Sequence, residues 1–183
     1  MIPYLLNGKL ADLDNLETLS VWDTPKHLVG ICRFAGVGFN VLDHSLVLCS
    51  LFPGEPMAQA WSLTHDCHEA ITGDIPGPFL KLLKQTSPEG YASLIGLVHQ
   101  IDARFQAELG ITVPQGVRDR VLEADIMLRS VEARWFAWPG FPGSSRRITR
   151  ALSAHTKLLV RSEDDKIDLW AIALRRAMAD CKA

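Results

Sequence analysis

The sequence has no cysteine pairing pattern. Its four cysteines, Cys32, Cys49, Cys67 and Cys181, form no C-x-x-C step, which argues against a zinc ribbon or a thioredoxin-type redox centre. It has no excess of positive charge. Nineteen lysines and arginines against 21 acidic residues leave a net charge of −2, so no nucleic-acid polymer is expected as a partner. No uninterrupted apolar run reaches the length of a membrane span, and no basic segment followed by an apolar one marks a leader. The expectation is a reduced, cytoplasmic protein with free thiols and no membrane association. Trustworthy strand alternation, internal repeats and low-complexity tracts are also missing.

What remains is a globular profile. The chain has 183 residues, 48% hydrophobic and 22% charged, enough for a single domain with its own core and too apolar for disorder. Apolar residues recur at helical spacing almost throughout, so the expected fold class is all-α. Residues 1–21 read as irregular with a short helix at most. Asp23-Thr24-Pro25 starts a helix over about 25–32. Further helices are expected at 43–51, at 56–71 through Met57, Ala60, Trp61 and Thr64, at 79–84, at 88–109 ended by Gly110, at 114–135, and at 163–181. Residues 139–143 are the strongest breaker cluster, and a basic segment with Arg146, Arg147 and Arg150 follows it. The last helix carries Ile167, Trp170, Ala171, Leu174 and Met178 on one stripe. That stripe packs either on its own domain or, with Trp135 and Trp138, in a homo-oligomer.

Chemistry concentrates in residues that ligate metals, spread over three separate helices: His44, His65-Asp66 and Asp125. Imidazole nitrogen with carboxylate oxygen suits a divalent transition metal better than calcium, and two of each leave positions open for water and phosphate. Each residue also has a bland reading. A histidine such as His44 in an apolar helix is more often a satisfied core residue, His65-Asp66 is a common dipeptide, and Asp125 can simply pair with Arg129 one turn on. The apolar surroundings of the dipeptide favour the metal, because charge there is costly without a compensating partner. Glu69 follows His65 by four residues and Asp66 by three, on the same face of a continuous helix. Asp74, just past Gly73, is a second acid/base candidate. A solvated helix surface and a turn aspartate are the plain alternatives for these two.

The order His44…His65-Asp66…Asp125 resembles the HD-domain phosphohydrolase superfamily. The longer string His65-Asp66-Cys67-His68-Glu69-Ala70, with Gly73-Asp74-Ile75-Pro76 after it, is similar to bacterial 5'-deoxynucleotidases and to the phage dATP triphosphohydrolases that clear dATP for viruses using 2-aminoadenine. Cys32-Arg33-Phe34, Asn40-Val41-Leu42-Asp43-His44-Ser45, and Glu123-Ala124-Asp125 with Glu132-Ala133-Arg134 resemble the phage group more closely. The resemblance covers about residues 22–138. It implies one HD domain over 1–183, with a helical extension at about 144–183 outside the matched core.

The resemblance implies that His44, His65, Asp66 and Asp125 hold one divalent transition metal per subunit (Zn2+, Co2+ or Mn2+). It gives Glu69 and Asp74 the catalytic carboxylates, and Arg33, Phe34 and Lys81 the substrate. The implied activity is a dATP or general deoxynucleoside triphosphate triphosphohydrolase, in the host cytoplasm if phage-encoded. The alternatives are a 5'-deoxynucleotidase acting on monophosphates and a non-catalytic nucleotide-binding regulatory module. The resemblance also implies a homo-oligomer.

Overall fold

In the computed structural model, which describes residues 2–36, 39–135 and 160–181, the chain is helical apart from one hairpin. Strands β1 (Pro3–Leu6) and β2 (Lys9–Asp12) pair antiparallel, with Leu6 opposite Lys9 and Tyr4 opposite Ala11. The two-residue loop is Asn7-Gly8, and both residues have positive φ, 50° and 76°. Asn-Gly is the pair best suited to such a turn, because glycine has no Cβ penalty there and asparagine tolerates the left-handed region. The expectation of an irregular stretch over 1–21 is corrected at this point. The Tyr4 hydroxyl donates to the Ala70 carbonyl at 2.6 Å, so the hairpin is tied to the segment that carries Glu69.

Two 3-10 turns, Leu16–Thr18 and Val21–Asp23, lead into α1 (Pro25–Leu28). That helix is shorter than expected because i→i−3 bonds from Gly30 to His27 and from Ile31 to Leu28 tighten its end. After α2 (Arg33–Gly36) comes α3 (Val41–Cys49). The cap of α3 is Asn40, whose side chain accepts the Asp43 N–H, so the helix starts two residues before Asp43. Then follow α4 (Pro56–Thr64), α5 (Glu69–Thr72), α6 (Gly77–Thr86), α7 (Pro88–Leu109), α8 (Gln115–Trp135) and α9 (Glu163–Asp180). Gly110, at φ 67°, closes α7 in the left-handed region.

The core is built on α3, all of whose residues are buried. α4 packs along it, and α8 and α9 each pack on both α3 and α4. The apolar stripe of α9 is used inside the domain: Trp170, Leu174, Ala177 and Met178 are buried. The Trp170 indole N–H donates to the Leu63 carbonyl at 2.9 Å, and Lys166 forms a buried ion pair with Asp43 at 2.9 Å. The last helix is thus part of the core that carries His44, and its stripe gives no support to assembly. Replacing Trp170 by alanine would cost about 3–5 kcal/mol. α6, in contrast, has no buried residue and rests on α7. The 139–143 breaker, the arginines at 146, 147 and 150, Trp138 and the side chain of Trp135 lie outside the described residues. All four cysteines are free thiols. Among the described residues, no helix is long and apolar enough to cross a membrane.

Candidate metal centre

Three elements deliver the candidate ligands. α3 presents His44, the end of α4 presents His65 and Asp66, and α8 presents Asp125. The expected helix over 56–71 is broken after Thr64. From there the backbone runs on i→i−3 bonds, Cys67 to Thr64 at 3.1 Å, Glu69 to Asp66 at 3.0 Å and Ile71 to His68 at 2.9 Å. In such tight turns residues three apart eclipse each other. Glu69 therefore stays beside Asp66, and ligand atoms of Asp66, His68 and Glu69 lie within 4.8 Å of one another. Ligand atoms of His44, His65 and Asp66 form a second group within the same limit.

The histidine tautomers follow from their partners. His65 Nδ1 faces the Ser62 carbonyl at 3.0 Å, which only accepts, so Nδ1 carries the proton. His44 Nδ1 faces the Glu132 carboxylate at 2.8 Å, with the same result. Both rings therefore turn Nε2 inward, and each Nε2 meets a carboxylate oxygen: Asp125 Oδ1 at 3.1 Å from His44 and Asp66 Oδ2 at 3.1 Å from His65. Lone pair against carboxylate is repulsive unless a proton or a cation lies between them. His44 Nε2, His65 Nε2 and Asp125 Oδ1 are all buried without a hydrogen-bond partner among the described residues. A histidine whose outer nitrogen is held by a carboxylate and whose inner nitrogen is free is the usual arrangement around a bound metal. His44, His65 and Asp66 form a group that could hold a divalent cation, and Asp125 lies beside it, 3.1 Å from His44 Nε2.

Electrostatics agree. Burial and Arg33 both oppose a proton on His44, yet Glu132 and Asp125 outweigh them and raise its pKa to about 9. Burial works against the charged form of Asp125 as well, but the close approach and charge of His44 hold it well below the ordinary carboxylate range. Asp66 is likewise depressed, by His65 and then Arg33, against its burial. Glu69 moves the other way: burial, then the charges of Asp66 and Asp74, push it up to about 9. Asp74 is raised by burial, opposed by Arg33 and by a hydrogen bond from the Phe34 N–H.

The remaining candidates divide. Arg33 is buried and faces three carboxylates, with Glu132 and Asp66 at 3.3 Å and Asp125 at 3.7 Å. Phe34 has φ 56°, a costly conformation for a bulky residue, and its ring lies 5.9 Å from the Arg33 guanidinium carbon. Lys81 is exposed on α6 and makes no hydrogen bond or ion pair with this group among the described residues. Sequence reasoning gave no role to Glu132, although it follows Asp125 by two helical turns and so shares its face. It also missed the pairing of His68 with Asp102 on α7 at 3.1 Å, which only tertiary structure creates.

No family model matches the chain. Over 126 residues it is 29% identical to YfdR of Escherichia coli (strain K12), a protein described as uncharacterized. The match covers 67% of this chain and 64% of the relative, so the chain spans less than two thirds of that relative's own length.

Proposed function

We propose that the chain is an HD-domain phosphohydrolase that hydrolyses a deoxynucleotide, with dATP or another deoxynucleoside triphosphate as substrate and deoxynucleoside plus triphosphate as products. One observation carries the reading: two inward Nε2 atoms, each 3.1 Å from a carboxylate, on histidines whose outer nitrogens are already committed. His44, His65, Asp66 and Asp125 would hold one divalent transition ion, Zn2+, Co2+ or Mn2+. Such an ion supplies positive charge at phosphate oxygens and acidifies water. Glu132 and the Ser62 carbonyl keep the two imidazoles turned inward. Arg33 balances the negative charge of the ligand carboxylates. Water oxygen bonds to the α-phosphorus, the bond to the 5'-oxygen breaks, and that oxygen takes a proton. Glu69 and Asp74 share the acid and base tasks, and the Phe34 N–H holds the Asp74 carboxylate in place. The Phe34 ring flanks the nucleoside, and the subunits form a homo-oligomer.

The test is elemental analysis of protein purified without chelator, followed by a screen of deoxynucleoside tri- and monophosphates and ribonucleotides with several metals and separated products. About one ion per chain, and chelator-sensitive release of deoxynucleoside and triphosphate, are expected. Turnover of deoxymonophosphates alone turns the reading to a 5'-deoxynucleotidase. Nucleotide binding without turnover turns it to a regulatory module. Absence of metal, with activity indifferent to chelation, removes it.

A further inference from the structure

Five carboxylates gather at this site, Asp66, Glu69, Asp74, Asp125 and Glu132, and two arginines face them, Arg33 and Arg129. The arginines are used very differently. The Arg33 side chain is 9% exposed, and its Nε and both terminal nitrogens already point at Glu132, Asp66 and Asp125. The Arg129 side chain is 43% exposed, and one terminal nitrogen is hydrogen-bonded to Asp125 Oδ2 at 2.5 Å. Its Nε is buried and has no hydrogen-bond partner among the described residues. Its charge also acts on Asp74, which lies beyond α5 rather than on α8.

A plain surface pair one helical turn apart explains the contact with Asp125. That contact engages one terminal nitrogen, and no other hydrogen bond of the half-exposed guanidinium is made among the described residues. The guanidinium is fixed at one corner by a ligand carboxylate and keeps further N–H groups for an incoming acceptor. A planar fork held in this way suits phosphate oxygens better than a flexible ammonium does. Substrate polyanions need such a cation here, because the site is otherwise rich in negative charge.

We propose that Arg129 binds the phosphate tail of the substrate, an assignment that rests on the phosphohydrolase reading for the substrate's class. The oxygens it takes are those of the phosphates beyond the one under attack, so it contributes most to a triphosphate.

The experiment uses the full chain loaded with Zn2+, with inorganic tripolyphosphate and dATP as probes, and compares wild type, Arg129→Gln and Arg129→Lys. Calorimetry should give a tripolyphosphate Kd roughly 10- to 100-fold weaker in Arg129→Gln. The KM for dATP should rise similarly at unchanged zinc content, with partial recovery in Arg129→Lys. An Arg129→Gln protein that loses zinc and kcat while keeping the wild-type Kd and KM overturns the proposal, because Arg129 then only positions Asp125. Wild type that hydrolyses dATP beside a variant with unaltered binding sinks the Arg129 assignment alone. Wild type that binds tripolyphosphate through Arg129 yet hydrolyses no deoxynucleotide supports the anion site and removes the phosphohydrolase reading. Wild type that neither binds nor hydrolyses overturns both.

Discussion

α3 and α6 are helices of nearly equal length with opposite environments: all nine residues of α3 are buried, and none of the ten residues of α6 is. Each carries charge-bearing groups. On α3 the surroundings make charge costly, and Asp43 and His44 each have a matched partner, Lys166 for one and Glu132 with Asp125 for the other. On α6, Lys81 and Lys84 lie in solvent. A polar residue in the core has to be explained by what it meets, whereas one on the rim does not. The ligand half of the site is therefore fixed by packing on several sides, while the wall that begins at Asp74 and runs into α6 rests mainly on α7.

The largest effect expected at the boundary between these regions is on turnover. Glu69→Gln and Asp74→Asn each remove a titratable carboxyl without changing shape, and neither residue is in the proposed ligand set. Each should lower kcat about 100- to 10,000-fold while elemental analysis still finds the metal. A variant that keeps more than about a tenth of wild-type turnover would show that its carboxyl has no part in proton transfer.

Next comes the buried pair that ties α9 to α3. Lys166→Met strands Asp43 in the core and should cost about 3–5 kcal/mol in urea unfolding. Adding Asp43→Leu should recover most of that loss, because two apolar groups then replace two paired charges. A double variant as unstable as the sum of the singles would mean that the pair contributes through packing alone.

The pH response separates the buried groups of the site by sign. His44 has a folded pKa of about 9 against an ordinary 6.5, so its contribution is complete below about 6.5 and is lost as pH rises through about 9. Glu69, raised from 4.5 to about 9, acts in the same direction over a wider window. Asp66 and Asp125 are depressed, so theirs is lost only as pH falls below the ordinary 3.8. Metal-free protein should therefore lose stability between about pH 5 and pH 9. Added Zn2+ should raise Tm more at about pH 8.5 than at about pH 6, because the ion displaces the His44 proton. A zinc-induced Tm shift independent of pH would contradict the assignment of His44 as a ligand. Glu69→Gln should flatten the metal-free decline.

Much of this arrangement is legible in the residues. The spacing predicts the bounds of α7 and nearly those of α8, because proline and glycine mark their ends, and ligand-type side chains with the family resemblance single out His44, His65 and Asp66, which the fold brings together. The hairpin is signalled by Asn7-Gly8, but Ile2, Leu5 and Leu10 give no half-buried alternation, because all three are exposed. The break after Thr64 has no glycine or proline to mark it; the tight turns of residues 65–69 belong to the site and not to local propensity. Glu132 was hidden because an acidic residue on a long charged helix reads as solvated, and only packing against α3 reveals that it is fully buried. The Lys166–Asp43 pair joins residues 123 positions apart, a relation that periodicity does not encode.

The smallest effect belongs to Lys81. The resemblance gives it a share in phosphate binding, and the sequence places it in the loop-to-helix segment after Asp74. In the structure it is an exposed lysine on a helix with no buried residue. An ammonium in water contributes through a screened charge alone, which weakens as salt is added. Lys81→Ala should leave stability within about 0.5 kcal/mol of wild type. It should raise the KM for a deoxynucleoside triphosphate by less than about tenfold, and that increase should shrink further between low and physiological salt. The comparison with Arg129→Gln then becomes quantitative: a half-buried guanidinium fixed by Asp125 should lose affinity at every salt concentration, and the free lysine only at low salt. A Lys81→Ala loss as large as that of Arg129→Gln, and equally resistant to salt, would mean that α6 closes over the phosphates when substrate binds, so that the exposed wall and the buried ligand half act as one site.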